Sequence, residues 1–206
     1  MLLEIHNENP QERNTQKVAE ILSKGGIAII PTDTIYAIVC DAFNQKATEK
    51  LCMIVGKKPE KANLSLLCKD LSEISVYTNS IQKEVFRLMK SCLPGPYTFI
   101  LNGSHELPKL LKSKRKTIGI RIPDNKICCQ IIENFGNPLI AASIHSEDDI
   151  IEYITDPLEI HEKYERQIDI VIDGGMGGLE PSTIIDCTGD SPVLLRAGKG
   201  EVNELE

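Results

Sequence analysis

The sequence predicts a single α/β domain around a mixed sheet. Helical stripes alternate with short apolar runs along the whole chain, as they do when strands and helices share one core. At 206 residues the chain is long enough to bury a substantial interior. No internal repeat, low-complexity tract or linker interrupts the alternation.

Each element has a local reason. Val18, Ile21 and Leu22 share a helical face between Thr15 and Lys24, with Asn14 or Thr15 as N-cap and Gly25-Gly26 as the stop. Ile27-Ala28-Ile29-Ile30 reads as a buried strand ending at Pro31. A second helix is expected over about Lys46 to Val55, and Leu64 to Cys68 is the next strand. Ile81, Val85, Leu88, Met89 and Cys92 form a helical stripe that Pro94-Gly95-Pro96 ends. Tyr97 to Leu101 is a strand. In the strand Thr117 to Ile122 the period of two puts Ile118, Ile120 and Ile122 on one face and Thr117, Gly119 and Arg121 on the other. Ile127, Ile131, Ile132 and Phe135 make a helix that stops at Gly136. Leu139 to Ala142, Ile168 to Ile172 and Ser182 to Asp186 are further strands, and Leu194-Leu195-Arg196 ends another. Ser146 to Tyr164 is acidic and irregular before a short amphipathic helix, and Gly198 to Glu206 reads as a loose tail.

Composition narrows the function. Lys plus Arg number 23 against 30 Asp plus Glu, so the formal net charge is −7 and a chain-wide basic surface is excluded. With 4% aromatic residues and no Trp, a nucleic-acid platform of stacked rings is not expected. No apolar run approaches the ~20 residues of a membrane span. The N-terminus lacks the basic flank and apolar stretch of a signal peptide, so a cytoplasmic protein is expected. Seven Cys, an odd number at irregular spacing without a CxxC pair, argue against a disulfide framework and against structural zinc.

Polar residues collect where the apolar strands end, which is where open α/β sheets place ligands. Pro31-Thr32-Asp33-Thr34-Ile35-Tyr36 is either a ligand loop or a turn that caps a short helix. Lys57, Lys58 and Lys61 are either a solvated helix end or a phosphate clamp. In Pro94-Gly95-Pro96-Tyr97-Thr98 the threonine is placed to point into a cleft. Arg121, alone among isoleucines, needs either a protein carboxylate or an anionic ligand. Ser143 and His145 end a strand, Ser182 opens one and Arg196 closes another. Gly174 to Gly178 lacks the GK[ST] of a P-loop and reads as a flexible connection or a wall that lets a ligand come close. Lys109, Lys112, Lys114, Arg115 and Lys116 are the strongest local positive stretch, solvated surface by default and a phosphate-backbone contact otherwise.

Taken in order, these segments resemble the YrdC-like family, which includes the threonylcarbamoyl-AMP synthases. PTDTIYAIVCDA, KKPEKANLSLL, PGPYTFIL, IGIRIP, STIID and LLRAG are similar to six family motifs, and the likeness covers about residues 12–200, with an N-terminal segment 1–11 and a tail 201–206 outside it. NLSLLCKDLSEIS, YTFIL and KRKTIGIRIP resemble the YciO-like branch. The resemblance implies a twisted sheet of parallel and antiparallel strands, with helices, around a large positively lined cavity. It implies that L-threonine, bicarbonate and ATP, assisted by Mg²⁺, yield threonylcarbamoyl-AMP for adenosine modification in tRNA. By position, Thr32, Tyr36, Thr98 and Arg121 would hold threonine, and Lys58, Ser143, Ser182 and Arg196 the nucleotide.

Two motifs depart from the family pattern. Gly56, Lys58 and Ala62 stand where it has K-x-R-P-x-x-K, and Ala141 to His145 stand where it has S-T-S-A-N. Lys57 or Lys61 is the available substitute for the missing lysines. The departures frame two alternatives to a synthase. One is a non-catalytic protein that binds tRNA or double-stranded RNA through Lys112, Lys114 and Arg115. The other is a cavity protein for a different nucleotide or small anion.

Overall fold

A computed structural model gives the arrangement of the chain; it describes residues 1–59, 61–108, 111, 116–144 and 153–202. The strands in chain order are β1 (Leu2–Glu4), β2 (Ala28–Ile30), β3 (Ala37–Asp41), β4 (Ser65–Leu67), β5 (Tyr97–Asn102), β6 (Thr117–Arg121), β7 (Leu139–Ser143), β8 (Ile170–Asp173), β9 (Thr183–Asp186) and β10 (Val193–Arg196). Among the described residues there are six helices: α1 (Glu12–Ser23), α2 (Gln45–Ile54), α3 (Leu71–Tyr77), α4 (Lys83–Cys92), α5 (Lys126–Phe135) and α6 (Pro157–Tyr164). All ten strands join one sheet in the order β1-β8-β2-β3-β7-β4-β6-β5-β9-β10. Four pairs are parallel (β1 with β8, β8 with β2, β4 with β6, β5 with β9) and the other five antiparallel, so the sheet is mixed.

The two faces of the sheet are covered unequally. On one, Ile38, Leu66, Phe99, Ile118, Ile120 and Ile140 pack against α2, α3, α4 and α6 through Leu51, Ile74, Met89 and Ile160 in one continuous core. On the other, α1 and α5 cover only part of the surface. Val18, Leu22, Ile127, Ile131 and Ile132 lie over Ala28, Ile30, Val39, Leu139, Ile170 and Ile172. The same face continues across β4, β6, β5 and β9 with no helix above it among the described residues. Register sets the floor of that uncovered half: Val39 pairs with Ala141, Ala141 with Ser65, Ser65 with Gly119, and Gly119 with Ile100. Three adjacent small residues, Ala141, Ser65 and Gly119, hollow the sheet at its centre.

Local corrections to the sequence reading have local causes. Helix α1 begins at Glu12 after Gln11, which makes no side-chain cap bond, so neither Asn14 nor Thr15 is the N-cap. Thr15 is buried and its hydroxyl donates to the Glu12 carbonyl. The turn after β2 leads into strand β3 rather than a short helix, because Ile38 and Val39 are β-branched and the run through Cys40 is buried on both faces. Helix α3, capped by the Asp70 side chain on the Glu73 N–H, has no counterpart in the sequence reading. Residues 2–4 form an edge strand beside β8. The tail is not loose through Glu201. The Thr183 hydroxyl donates to the Gly200 carbonyl at 2.7 Å, the Tyr97 hydroxyl to the Glu201 carbonyl at 2.8 Å, and the Lys199 N–H to the Pro181 carbonyl at 2.9 Å. As expected, Gly136 ends α5 in the left-handed conformation at φ 79°.

Candidate functional site

A cavity of about 320 Å³ lies over the hollowed half of the sheet. Its lining includes Ser65, Thr98, Gly119, Arg121, Ser143, Ser182 and Arg196, and its charged members are the two arginines. Strand alternation delivers them: Thr117, Gly119 and Arg121 face the cavity while Ile118 and Ile120 face the core. The site therefore spreads over the face of the sheet, and not along the strand ends as the polar clusters implied. The sheet also curls. Five strand spacings separate β7 from β10, roughly 24 Å at ~4.8 Å each if the sheet were flat. Yet Ser143 of β7 and Arg196, the last residue of β10, line one adjoining pocket of about 200 Å³.

Arg121 is buried, and so is the side chain of its partner Asp33. Nη2 of Arg121 donates to Asp33 Oδ1 in an ion pair, to Thr34 Oγ1 at 2.7 Å and to Thr32 Oγ1 at 3.5 Å. Thr32 holds the turn itself: its Oγ1 donates to the Ile35 carbonyl at 2.7 Å and accepts the Thr34 N–H at 3.1 Å. A protein carboxylate thus meets the need of the buried guanidinium, one of the two partners the sequence allowed. Arg121 Nε and Asp33 Oδ2 are both buried without a hydrogen-bond partner among the described residues.

Opposite this pair, Thr98 Oγ1 lies 2.8 Å from Ser182 Oγ. Arg196 donates from Nη2 and Nε to the Ser182 carbonyl at 2.7 and 3.2 Å, which fixes its head on the cavity side of β9. Gly119 has no side chain where a Cβ would stand 3.1 Å from Thr98 Cγ2, so the floor between Arg121 and Thr98 stays open.

Behind the Arg121–Asp33 pair is a second, polar cavity of about 500 Å³, lined by Thr32, Asp33, Thr34, Asp124, Gly178 and Lys199 among others. Lys199 Nζ donates to the Asp33 carbonyl at 2.6 Å. The glycine-rich loop is a pinned wall of this cavity. The Gly178 N–H donates to the Thr34 carbonyl and the Gly177 N–H to that of Thr155, each at 2.8 Å.

Tyr36, expected beside threonine, is in the lining of neither cavity. Its ring is fully buried, its hydroxyl donates to the Gly175 carbonyl at 2.7 Å, and it accepts the Gly174 N–H at 3.2 Å. Burial pushes its pKa up to about 12. Lys58 is exposed and is not among the lining residues; Lys57 is, beside Asn63, Ala62, Ser143 and Arg196. Both lysines are exposed in the turn after α2, and of the two Lys57 borders the adjoining pocket. The structure thus groups Thr98, Arg121, Ser143, Ser182 and Arg196 on one void, places Thr32 in the lining of the second, and leaves Tyr36 and Lys58 off both. The sequence reading did not assign Asp33, Asn63 or Lys199 to a site; only Asp33 carried a signal, as a carboxylate between two threonines. Lys112, Lys114, Arg115 and His145 lie outside the described residues.

No protein nucleophile offers itself among the thiols. The seven cysteines form no disulfide. Burial raises the Cys40 pKa to about 12 and that of Cys187 to about 11, and raises Cys68, Cys128 and Cys129 as well, so they are protonated at neutral pH. The sign of the pH effect follows. Thiols and the Tyr36 phenol ionise more easily in the unfolded chain, so their contribution is complete below about pH 8.5 and declines as pH rises through 9 to 12. Urea midpoints across that range are expected to fall steadily. Among the described residues no group of three or more His, Cys, Asp and Glu could hold a metal, and no helix is long and apolar enough to cross a membrane.

Comparison with known proteins bears on the family and the fold. The Sua5_yciO_yrdC family, described as "Telomere recombination", matches residues 20–198. The chain is 43% identical over 199 residues to YciO of Escherichia coli K12, itself uncharacterized, covering 96% of this chain and 95% of that one. It superimposes on the crystal structure of E. coli YciO with TM-score 0.91 at 41% identity, covering 100% and 99% of the two chains. A threonylcarbamoyl-AMP synthase of Pyrococcus abyssi is 28% identical over 204 residues, 97% of this chain and 58% of the relative. The structure of P. abyssi Sua5 complexed with L-threonine matches with TM-score 0.90 at 26% identity, covering 100% of this chain and 60% of that one. With its fold, its motif order and most of its length in agreement, the chain belongs to the Sua5/YciO/YrdC family.

Proposed function

We propose that the chain is an L-threonylcarbamoyladenylate synthase-type enzyme that binds L-threonine, bicarbonate and ATP in the cavity over the open half of the sheet. The observation that carries this reading is that two guanidiniums, Arg121 and Arg196, line one void together with the Thr98–Ser182 hydroxyl pair. The L-threonine complex of P. abyssi Sua5 supports the amino-acid part.

The chemistry suits groups that position and neutralise, and it needs no protein nucleophile. The threonine amine adds to bicarbonate with loss of water, giving a carbamate. A carbamate oxygen then attacks the α-phosphorus of ATP, the bond to the β-phosphate oxygen breaks, and pyrophosphate leaves. Arg121 faces the carboxylate of threonine. Arg196, Ser143 and Ser182 face the nucleotide, and Lys57 supplies the cation that Lys58 does not. Preorganised cations around the transferring phosphoryl group supply most of such a rate. Among the described residues the lining of the main cavity contains no carboxylate, so Mg²⁺ would be held chiefly by the phosphate oxygens of ATP.

Incubation of the pure protein with ATP, Mg²⁺, L-threonine and labelled bicarbonate is expected to give labelled adenylate and pyrophosphate. Because Gly56 and Ala62 carry no charge, turnover is expected to trail a synthase with both lysines by roughly 100- to 1000-fold. Absence of the adenylate at enzyme concentrations that offset this factor ends the reading.

A further inference from the structure

The curl of the sheet is tied at a point that no motif marks. Asp33 follows the last residue of β2 by three positions, and Lys199 follows the last residue of β10 by three. Seven strand spacings separate β2 from β10, roughly 34 Å at ~4.8 Å each if the sheet were flat. Yet Lys199 Nζ donates to the main-chain carbonyl of Asp33 at 2.6 Å. A charged donor on a carbonyl is among the stronger hydrogen bonds.

Both ends of this tie lead to cations of the main cavity. On one side the Asp33 carboxylate holds Arg121. On the other, Lys199 stands three residues beyond Arg196, on a segment with no slack. The Gly198 N–H donates to Thr183 Oγ1 at 3.0 Å, the Lys199 N–H to the Pro181 carbonyl at 2.9 Å, and Thr183 Oγ1 to the Gly200 carbonyl at 2.7 Å. These bonds flank Ser182, whose carbonyl orients Arg196. A short path, Arg121 to Asp33 to Lys199 to Arg196, therefore joins the two guanidiniums that line the void. Lys199 itself lines the second cavity, so it acts on the main one through its neighbours.

We propose that Lys199 is a positioning residue whose bond to the Asp33 carbonyl sets the span between Arg121 and Arg196. The kinetic part of the inference rests on the proposed function, in which the amino acid and the nucleotide are held at opposite ends of that span. Span governs alignment more than it governs the affinity of either ligand alone. A misplacement of about 1 Å between reacting groups costs roughly 100-fold in rate.

The test uses Lys199→Met, which keeps the stem and removes the donor, and Lys199→Arg, which restores a cationic donor. The side chain is exposed, so both chains are expected to melt near the wild-type temperature. Without any ligand, amide hydrogen exchange in the turn 32–36 is expected to quicken roughly 10-fold in Lys199→Met, the value of one charge-assisted hydrogen bond, and to return toward wild type in Lys199→Arg. In the adenylate assay Lys199→Met is expected to lower kcat by roughly 10- to 100-fold while KM for ATP and for threonine moves less than about threefold, with Lys199→Arg recovering most of the rate. Unchanged exchange in Lys199→Met overturns the tie. Faster exchange with wild-type kcat overturns the positioning role and leaves adenylate formation standing. A fall in melting temperature and a rise in both KM values in step with kcat also overturns it, as a merely structural loss. A wild type that forms no adenylate overturns the synthase reading and the kinetic role of Lys199 together, and exchange then decides the tie alone.

Discussion

Arg121→Met is expected to lower folding stability by about 3–5 kcal/mol, because it leaves the Asp33 carboxylate buried without its cation. The loss exceeds that of an ordinary core substitution of similar volume. Methionine fills the space of the arginine stem, so the deficit is electrostatic. The control is Asp33→Leu combined with Arg121→Met, which removes both charges and is expected to recover most of the stability, since apolar replacement of a whole buried pair is often neutral or favourable. Both chains are expected to have lost carboxylate binding. Denaturant midpoints for the two proteins, with threonine titrations on each, separate the structural from the ligand-binding role of the pair. Equal destabilisation of the single and double variants would show that the ion pair does not bear the cost.

Gly198→Ala is expected to cost about 1–3 kcal/mol and to blunt adenylate formation together with stability. A Cβ at this position would stand 2.3 Å from the Pro181 carbonyl oxygen and 2.7 and 2.8 Å from the Ser182 carbonyl carbon and oxygen. All three are backbone atoms, so no side-chain rotation relieves the clash; the start of β9 must shift. Ser182 O is the acceptor that orients Arg196, and Ser182 Oγ is the partner of Thr98. A substitution outside the cavity lining thereby moves two groups that line it. Thermal unfolding and the adenylate assay on the same preparation check both halves. A folded variant with wild-type midpoint would remove the steric argument.

Much of the fold was legible because its signals are local. The isoleucines of β6 announced their face by alternation, Gly136 announced the end of α5, and Pro94 to Pro96 the end of α4. Arg121 was legible as a buried cation in want of a partner for the same reason. What stayed hidden depends on distance or on direction. Asp33 meets Arg121 across 88 positions, and β1 finds β8 at the other end of the chain; no periodicity encodes either meeting. Lys57 and Lys58 are chemically alike and both exposed, and of the two Lys57 borders the adjoining pocket. Tyr36 had the right chemistry for a ligand contact, but its hydroxyl is taken up by the glycine loop, whose packing is a tertiary fact.

The unequal covering of the sheet separates foldability from chemistry. Under α1 and α5 a changed side chain disturbs a packed interface, whereas over β4, β6 and β9 it meets mostly open space. Substitutions at Ser65, Ser143 or Ile184 therefore alter what the hollow accepts at little expense to the scaffold, and this region is where a lineage of such chains can drift from one small-molecule guest to another while its architecture stays put.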